Sequence, residues 1–208
     1  QVAERLRTAH GLFADDRSRT VFLALLSRVL DRTADVELTG VCEPDEYFPA
    51  GLIQLSAHES LVDVGAFDGD TVEAFDRKSG SRFDRVFAFE LDRTNYQRLE
   101  SNVARMACRQ RVATFNVGAW DSDETVSYGV NGYQSAVGTG DARGRVAPLD
   151  QLLKGERVTF IKMDVEGAEL RALRGAAGII RSQKPKLAVC VYHDFRHLWE
   201  VHSMSIAW

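Results

Sequence analysis

The chain has 208 residues, with 26 Lys plus Arg against 30 Asp plus Glu and a formal charge of −4. Its 45% hydrophobic and 27% charged content is ordinary for a soluble globular protein of one domain with a short N-terminal appendage. The mild acidity speaks against nucleic acid as a partner, and no apolar run approaches the roughly 20 residues that span a bilayer.

Residues 18–30 place Val21, Phe22, Leu25, Leu26 and Val29 on one helical stripe, with Ser18 as the expected N-cap. A less regular stretch follows through Tyr47-Phe48, and residues 1–58 read as an N-terminal helical segment or lid. From Leu61 onward the pattern alternates strands and helices, and 59–208 reads as the main domain. Strand one covers 61–64, and a helix carrying Val72 and Phe75 starts at Asp70 or Thr71. Strand two covers 85–90. Thr94, with Gln97 three residues on, forms a capping-box pattern opening a helix whose apolar face is Tyr96, Leu99, Val103 and Met106. Strand three covers 112–117. The glycine-rich stretch 121–144 reads as a short strand plus a long loop. Strand four covers 158–163, a helix 168–180, and strand five 187–192. Such alternation implies an α/β, Rossmann-like fold, a mostly parallel twisted sheet with helices on both faces and a ligand crevice at the carboxyl ends of the strands. Cys42, Cys108 and Cys190 are far apart and form no CxxC pair. That argues for free thiols in a reducing compartment, the cytoplasm, and against a zinc site.

The densest motif is Leu61-Val-Asp-Val-Gly-Ala-Phe-Asp-Gly-Asp-Thr71, a buried strand running into a glycine loop that opens a helix. Asp63, Asp68 and Asp70 crowd it, and it contains no Lys or Arg. Such a loop repels a pyrophosphate and suits a cofactor with positive charge, as S-adenosylmethionine (SAM) carries on its sulfonium and ammonium groups. Glu90 ends strand two, 25 positions after Gly65, where an acid typically accepts hydrogen bonds from ribose hydroxyls. Its bland alternative is a solvated strand end, and that of Gly65 and Gly69 is a plain turn. Asp63 interrupts an apolar strand, so it must be paired or serve a ligand. Asn116 after strand three can meet an adenine edge or merely close an Asx turn. Trp120 can pack on the adenine or be core.

Lys162-Met-Asp-Val-Glu-Gly-Ala-Glu169 is the second cluster. In an extended chain Lys162, Asp164 and Glu166 share one face, and Gly167 lets the backbone turn into the next helix. Two carboxylates and an amine can deprotonate a hydroxyl or ligate a divalent cation, although no metal site is assigned. The alternative is an acidic helix N-terminus, for Glu169 above all. His193, after strand five, is a third candidate base or an exposed histidine.

Asp63-Val-Gly-Ala-Phe-Asp-Gly-Asp, Phe87-Ala-Phe-Glu, Ile161-Lys-Met-Asp-Val-Glu-Gly-Ala-Glu169 and Tyr192-His193 resemble the FkbM-type SAM-dependent methyltransferases over roughly Ser18 to Trp199. The block 161–169 is the more specific part. The resemblance implies a seven-stranded Rossmann-like enzyme that methylates hydroxyl oxygens of sugars or natural products. It implies that Asp63, Gly65, Ala66, Phe67 and Gly69, beside Asp68, contact the methionine part of SAM. Glu90 would hold the ribose, and Asn116, Val117 and Gly118 would border the adenine. Asp164 and Glu166 would line the reaction centre, with Asp164 also near the cofactor. Leu91 stands where the family often has proline. The sequence ends 15 residues after His193, too soon for the family's last strand hairpin. That is the expectation of a truncated or differently built sheet edge, open to pairing with a second copy. The expected partner is a small hydroxylated acceptor, without nucleic acid or membrane. The rival readings are a catalytically idle SAM-binding module and a nicotinamide-dependent oxidoreductase.

Overall fold

A computed structural model describes residues 2–30, 45–49, 51–131, 134–138 and 140–206. The chain divides into two compact units, one made of 1–49 with 191–208 and the other of 50–190.

The first unit holds α1 (Val2–Leu12), α2 (Asp16–Leu30) and α8 (His197–Ile206). Ala9, Phe22, Leu198 and Trp199 form its core, with Leu6, Phe13, Leu25 and Leu26 packed around them. Of the predicted stripe on α2, Phe22 is buried, whereas Val29 is 46% exposed. The helix begins two residues earlier than expected. Asp15 accepts from the Ser18 amide at 2.8 Å and from its hydroxyl at 2.7 Å, so Asp15 and not Ser18 does the capping.

The second unit contains, in chain order, β1 (Ser60–Val64), α3 (Asp70–Ser79), β2 (Arg85–Phe89), α4 (Arg93–Val103), β3 (Val112–Phe115), β4 (Gly118–Ala119), β5 (Glu124–Asn131), β6 (Gln134–Val137), β7 (Ala142–Ala147), α5 (Leu149–Leu152), β8 (Phe160–Met163), α6 (Glu169–Gly175), α7 (Ala177–Gln183) and β9 (Lys186–Val189). Five strands form one sheet in the order β3-β2-β1-β8-β9, and all its pairings are parallel. Every residue of β1 and β8 is buried, which requires cover on both faces and explains why both are apolar apart from Ser60, Asp63 and Lys162. The chain runs outward from β1 to β2 and β3, then returns to β8 and β9 on the other side. The strand order therefore reverses between β1 and β8, the place where open α/β sheets bind ligands.

Three expectations need correction here. The stretch 121–144 is mostly strand where a short strand and a long loop were expected: β5 pairs antiparallel with both β6 and β7, and β4 joins β7 in parallel to complete a second, four-stranded sheet. The predicted helix 168–180 is two helices, α6 and α7, interrupted at Ala176 (φ −108°, ψ 3°), and Gly175 just before the break lies so close to the Trp120 carbonyl that a Cβ there would meet its oxygen at 1.8 Å. Asp150 then caps the second helix by accepting from the Gly178 and Ile179 amides, each at 2.8 Å. The capping box at Thr94 does not form. Asp92 accepts from the Asn95 amide at 2.8 Å, and α4 starts at Arg93.

Candidate functional site

The crevice is built from the loops that follow β1 and β8. After Val64 the backbone enters the left-handed region at Gly65 (φ 75°), Phe67 (φ 48°) and Gly69 (φ 95°). Gly65 is required twice over. A Cβ there would meet the Asp164 carbonyl oxygen at 1.9 Å, so the glycine loop and the loop after β8 lie in direct contact. Phe67 tolerates its strained backbone because its neighbours hold it.

Those neighbours occupy the loop's polar backbone. The amides of Gly65 and Ala66 both donate to Phe89 O at 3.0 Å, and that of Gly69 to Ala66 O at 2.8 Å. Phe67 N donates to Glu90 Oε2 at 2.9 Å. Asn102 Nδ2 on α4 donates to Asp68 O at 2.8 Å, and Lys162 Nζ on β8 to Gly65 O at 2.8 Å. Asn102 and Lys162 come from elements far away in sequence, and only the fold reveals these roles. Ala66 is buried, Asp68 is half-buried and Asp70 is exposed.

Glu90 is 6% exposed at the end of β2. Its second oxygen, Oε1, accepts from the Asp92 amide at 2.8 Å. Burial pushes its pKa up to about 7, against the pull of the two backbone hydrogen bonds. Each oxygen has a further lone pair for a ligand hydroxyl. The expected neighbour Asn116 is engaged as a staple, since its Nδ2 donates to Glu90 O at 2.9 Å and Leu91 O at 3.0 Å. Val117 is half-buried between the sheets. Gly118 opens β4, pairs with Val146, and has Leu91 against it. The Trp120 ring carries the Arg171 guanidinium 4.7 Å from its centroid, and Arg171 also pairs with Asp121 at 3.0 Å.

Asp63 is fully buried and faces Lys162 across the β1–β8 register. Lys162 Nζ lies 3.0 Å from Asp63 Oδ1, with side chains 3% and 0% exposed. Burial disfavours its ammonium, but the charge of Asp63, its hydrogen bond and the charge of Asp164 outweigh burial and raise the pKa, so the amine keeps its proton. Asp63 Oδ2 is buried and accepts no hydrogen bond from any described residue. An acceptor stands ready there for a donor brought by a ligand.

Asp164 continues β8 by donating its amide to Val64 O at 3.0 Å. Glu166 then breaks the extended register, with φ 52°, followed by Gly167 at φ 96°. Both side chains are half-buried, and a carboxylate oxygen of each lies within 4.8 Å of the other. Two acids at this spacing can take a proton from a hydroxyl. Glu169 is buried, and its Oε1 accepts from the Val165 amide at 3.1 Å, which makes it a brace for the turn. His193 does not end a strand. Strand β9 stops at Val189, and His193 belongs to the first unit, with its ring 4.1 Å from that of Tyr192.

With this geometry the chain can be set beside known proteins. The model of a family described as the methyltransferase FkbM domain matches residues 63–204. A crystal structure of methyltransferase FkbM from Methylobacillus flagellatus KT aligns with a TM-score of 0.85 at 28% identity, over 99% of this chain and 52% of that one. This chain thus spans about half the length of that protein. The methyltransferase domain of bacterial CtHen1 aligns over 79% of this chain and 65% of that one at 14% identity, and its TM-score of 0.37 is too low to argue from. No curated protein matches the chain. Among the described residues no helix is long and apolar enough to cross a membrane.

Proposed function

Because the chain belongs to the methyltransferase FkbM domain family, we propose that it moves a methyl group from SAM to a hydroxyl oxygen of a small acceptor, a sugar or natural product. The observation that carries the cofactor class is the hydrogen-bond inventory of the glycine loop. The amides of Gly65, Ala66, Phe67 and Gly69 are all taken by protein acceptors. A pyrophosphate needs such amides. What the site offers instead is acceptors: the buried Asp63 Oδ2, the Glu90 carboxylate, and Asp68 on the loop. These fit the ammonium and ribose hydroxyls of SAM and disfavour a nicotinamide dinucleotide.

When bound, SAM supplies an electrophilic methyl on a sulfonium whose departure needs no protonation. The chain's own task is alignment, worth about 7–11 kcal/mol in well-oriented systems, and removal of the acceptor's proton, worth about 10²–10⁴-fold. Glu90 and Asp63 orient the two ends of the cofactor. Asp164 and Glu166 are the base candidates placed beside the loop, and His193 stays a candidate on its chemistry alone.

Calorimetric titration with SAM, S-adenosylhomocysteine and NAD in turn tests the cofactor, and binding of NAD alone would reverse the assignment. Methyl transfer from labelled SAM to a panel of sugars and natural products tests the chemistry. Asp164→Ala and Glu166→Ala are expected to lower turnover by about 10²–10⁴-fold for whichever is the base. If both keep full activity, the reaction centre lies elsewhere.

A further inference from the structure

We infer that Lys162 is a positioning residue, which pins the cofactor loop to the segment bearing Asp164 through the carbonyl of Gly65. The inference rests on the reading of that loop as the SAM site.

An ion pair this deeply buried is weak evidence for stability, since apolar replacements of similar volume are often neutral or stabilising. The Lys162–Asp63 pair sits where β1 and β8 would otherwise close with two aliphatic side chains. One thing an apolar pair cannot do is reach Gly65 O, which Lys162 Nζ holds at 2.8 Å. Gly65 is thereby gripped from three sides. Its amide is held by Phe89 O on β2, its carbonyl by Lys162 on β8, and its Cα lies against the Asp164 carbonyl. Asp164 is tied back to β1 through Val64 O. The glycine loop and the candidate base thus form one frame, and Lys162 is its only member that reaches the loop with a side chain from β8 among the described residues. Misplacement by 1 Å in such a frame can lower a rate about 10²-fold.

The competing reading is that Lys162 merely neutralises Asp63. The two separate in an Asp63→Asn background, where the carboxylate paired with Lys162 is gone and Lys162 can still bond Gly65 O. Adding Lys162→Met there removes the remaining charge of the buried pair, so the thermal midpoint of the double variant is expected to equal or exceed that of Asp63→Asn. Its affinity for S-adenosylhomocysteine, measured by calorimetry well below both midpoints, is expected to fall about tenfold or more. Hydrogen exchange supplies a readout free of ligand: the amides of Gly65, Ala66 and Phe67 should exchange faster in the double variant, while those of β3 and α4 stay as they are. Unchanged exchange at those three amides overturns the inference, as does equal measurable affinity in the two backgrounds; where Asp63→Asn by itself abolishes binding, the exchange result alone decides. Failure of the unaltered protein to bind SAM or S-adenosylhomocysteine would instead sink the cofactor reading, and the exchange result would still judge Lys162.

Discussion

Gly65→Ala separates steric contact between the two crevice loops from plain backbone strain. Gly155 supplies the reference: its φ is +86° and a Cβ there would meet nothing within 4 Å. Gly155→Ala therefore carries only the left-handed penalty of about 1–2 kcal/mol. Part of that is offset by about 0.4–1 kcal/mol from the stiffer unfolded chain. At Gly69 (φ +95°) the new methyl would also meet Leu99 Cδ1 at 3.1 Å, a flexible side chain that can yield. At Gly65 (φ +75°) the obstacle is backbone, Asp164 O at 1.9 Å, where contacts under 3.0 Å do not occur. One loop must move by about 1 Å (3.0 minus 1.9), and the bond from Asp164 N to Val64 O lies in the way. Overpacking of this kind adds about 1–3 kcal/mol, so the expected order of destabilisation is Gly155→Ala, then Gly69→Ala, then Gly65→Ala at about 3 kcal/mol or more. Urea unfolding of the three variants gives the order, and titration with S-adenosylhomocysteine shows whether Gly65→Ala alone loses binding. A Gly65→Ala protein no less stable than Gly155→Ala would refute the contact between the loops.

The raised pKa of Glu90 means that, between pH 4.5 and about 7, the folded chain holds a proton that the unfolded chain has released. The associated stability is fully present below pH 4.5 and is lost as pH rises towards 7, by on the order of 3 kcal/mol. Urea midpoints measured across that range should fall for the natural sequence and lose this slope in Glu90→Gln. Asp92→Ala removes the cap from α4 and should cost about 1 kcal/mol in chemical denaturation, with α4 amides near Asn95 exchanging faster. Asn116→Ala leaves Glu90 O and Leu91 O without their shared donor. It should cost about 1–3 kcal/mol and weaken ligand binding indirectly, an effect that Asn116→Asp would not repair because it donates nothing at neutral pH.

Local signals carried the strand–loop–helix unit at Asp63, the strand ending in Glu90 and the alternation that implied a parallel sheet, since each is written in contiguous residues. Three kinds of feature were illegible. Long-range pairing was one: Asp63 meets Lys162 only because β1 and β8 are neighbours in register, and period-two counting along 162–166 cannot know that. Glycine misled in the second sheet. Gly140 lies so close to Gly129 that a Cβ would come within 2.5 Å of its Cα, and Gly144 packs on Leu91 at the same spacing. These glycines permit close packing of strands, although their number suggested a loop. Competition between caps was the third, because Asp15 and Asp92 lie three and two residues before Ser18 and Thr94 and take the cap first. The bounds of helix α1 are not legible within the N-terminal helical segment because it has no clear apolar stripe, with only Ala9 buried along its length.

Folding changes how much the loop's acidic residues can contribute to cofactor choice. Counting acids in the glycine loop treats Asp63 as free negative charge, yet an internal ammonium lies 3.0 Å from it. Without that charge the count weakens, since Asp70 is exposed and water screens it. What discriminates between cofactors is which groups the fold has already used. The amides of Gly65, Ala66, Phe67 and Gly69 are consumed by Phe89, Glu90 and Ala66, while Asp63 Oδ2 is buried and accepts from no described donor and each Glu90 oxygen keeps a lone pair. A ligand that needs donors finds few here, and one that brings donors finds acceptors held in place by β1 and β2. Polarity of this kind follows from hydrogen-bond accounting and survives at high salt. A binding titration in 0.5 M salt is therefore expected to preserve the preference for SAM over NAD, whereas a preference built on loop charge would shrink with screening.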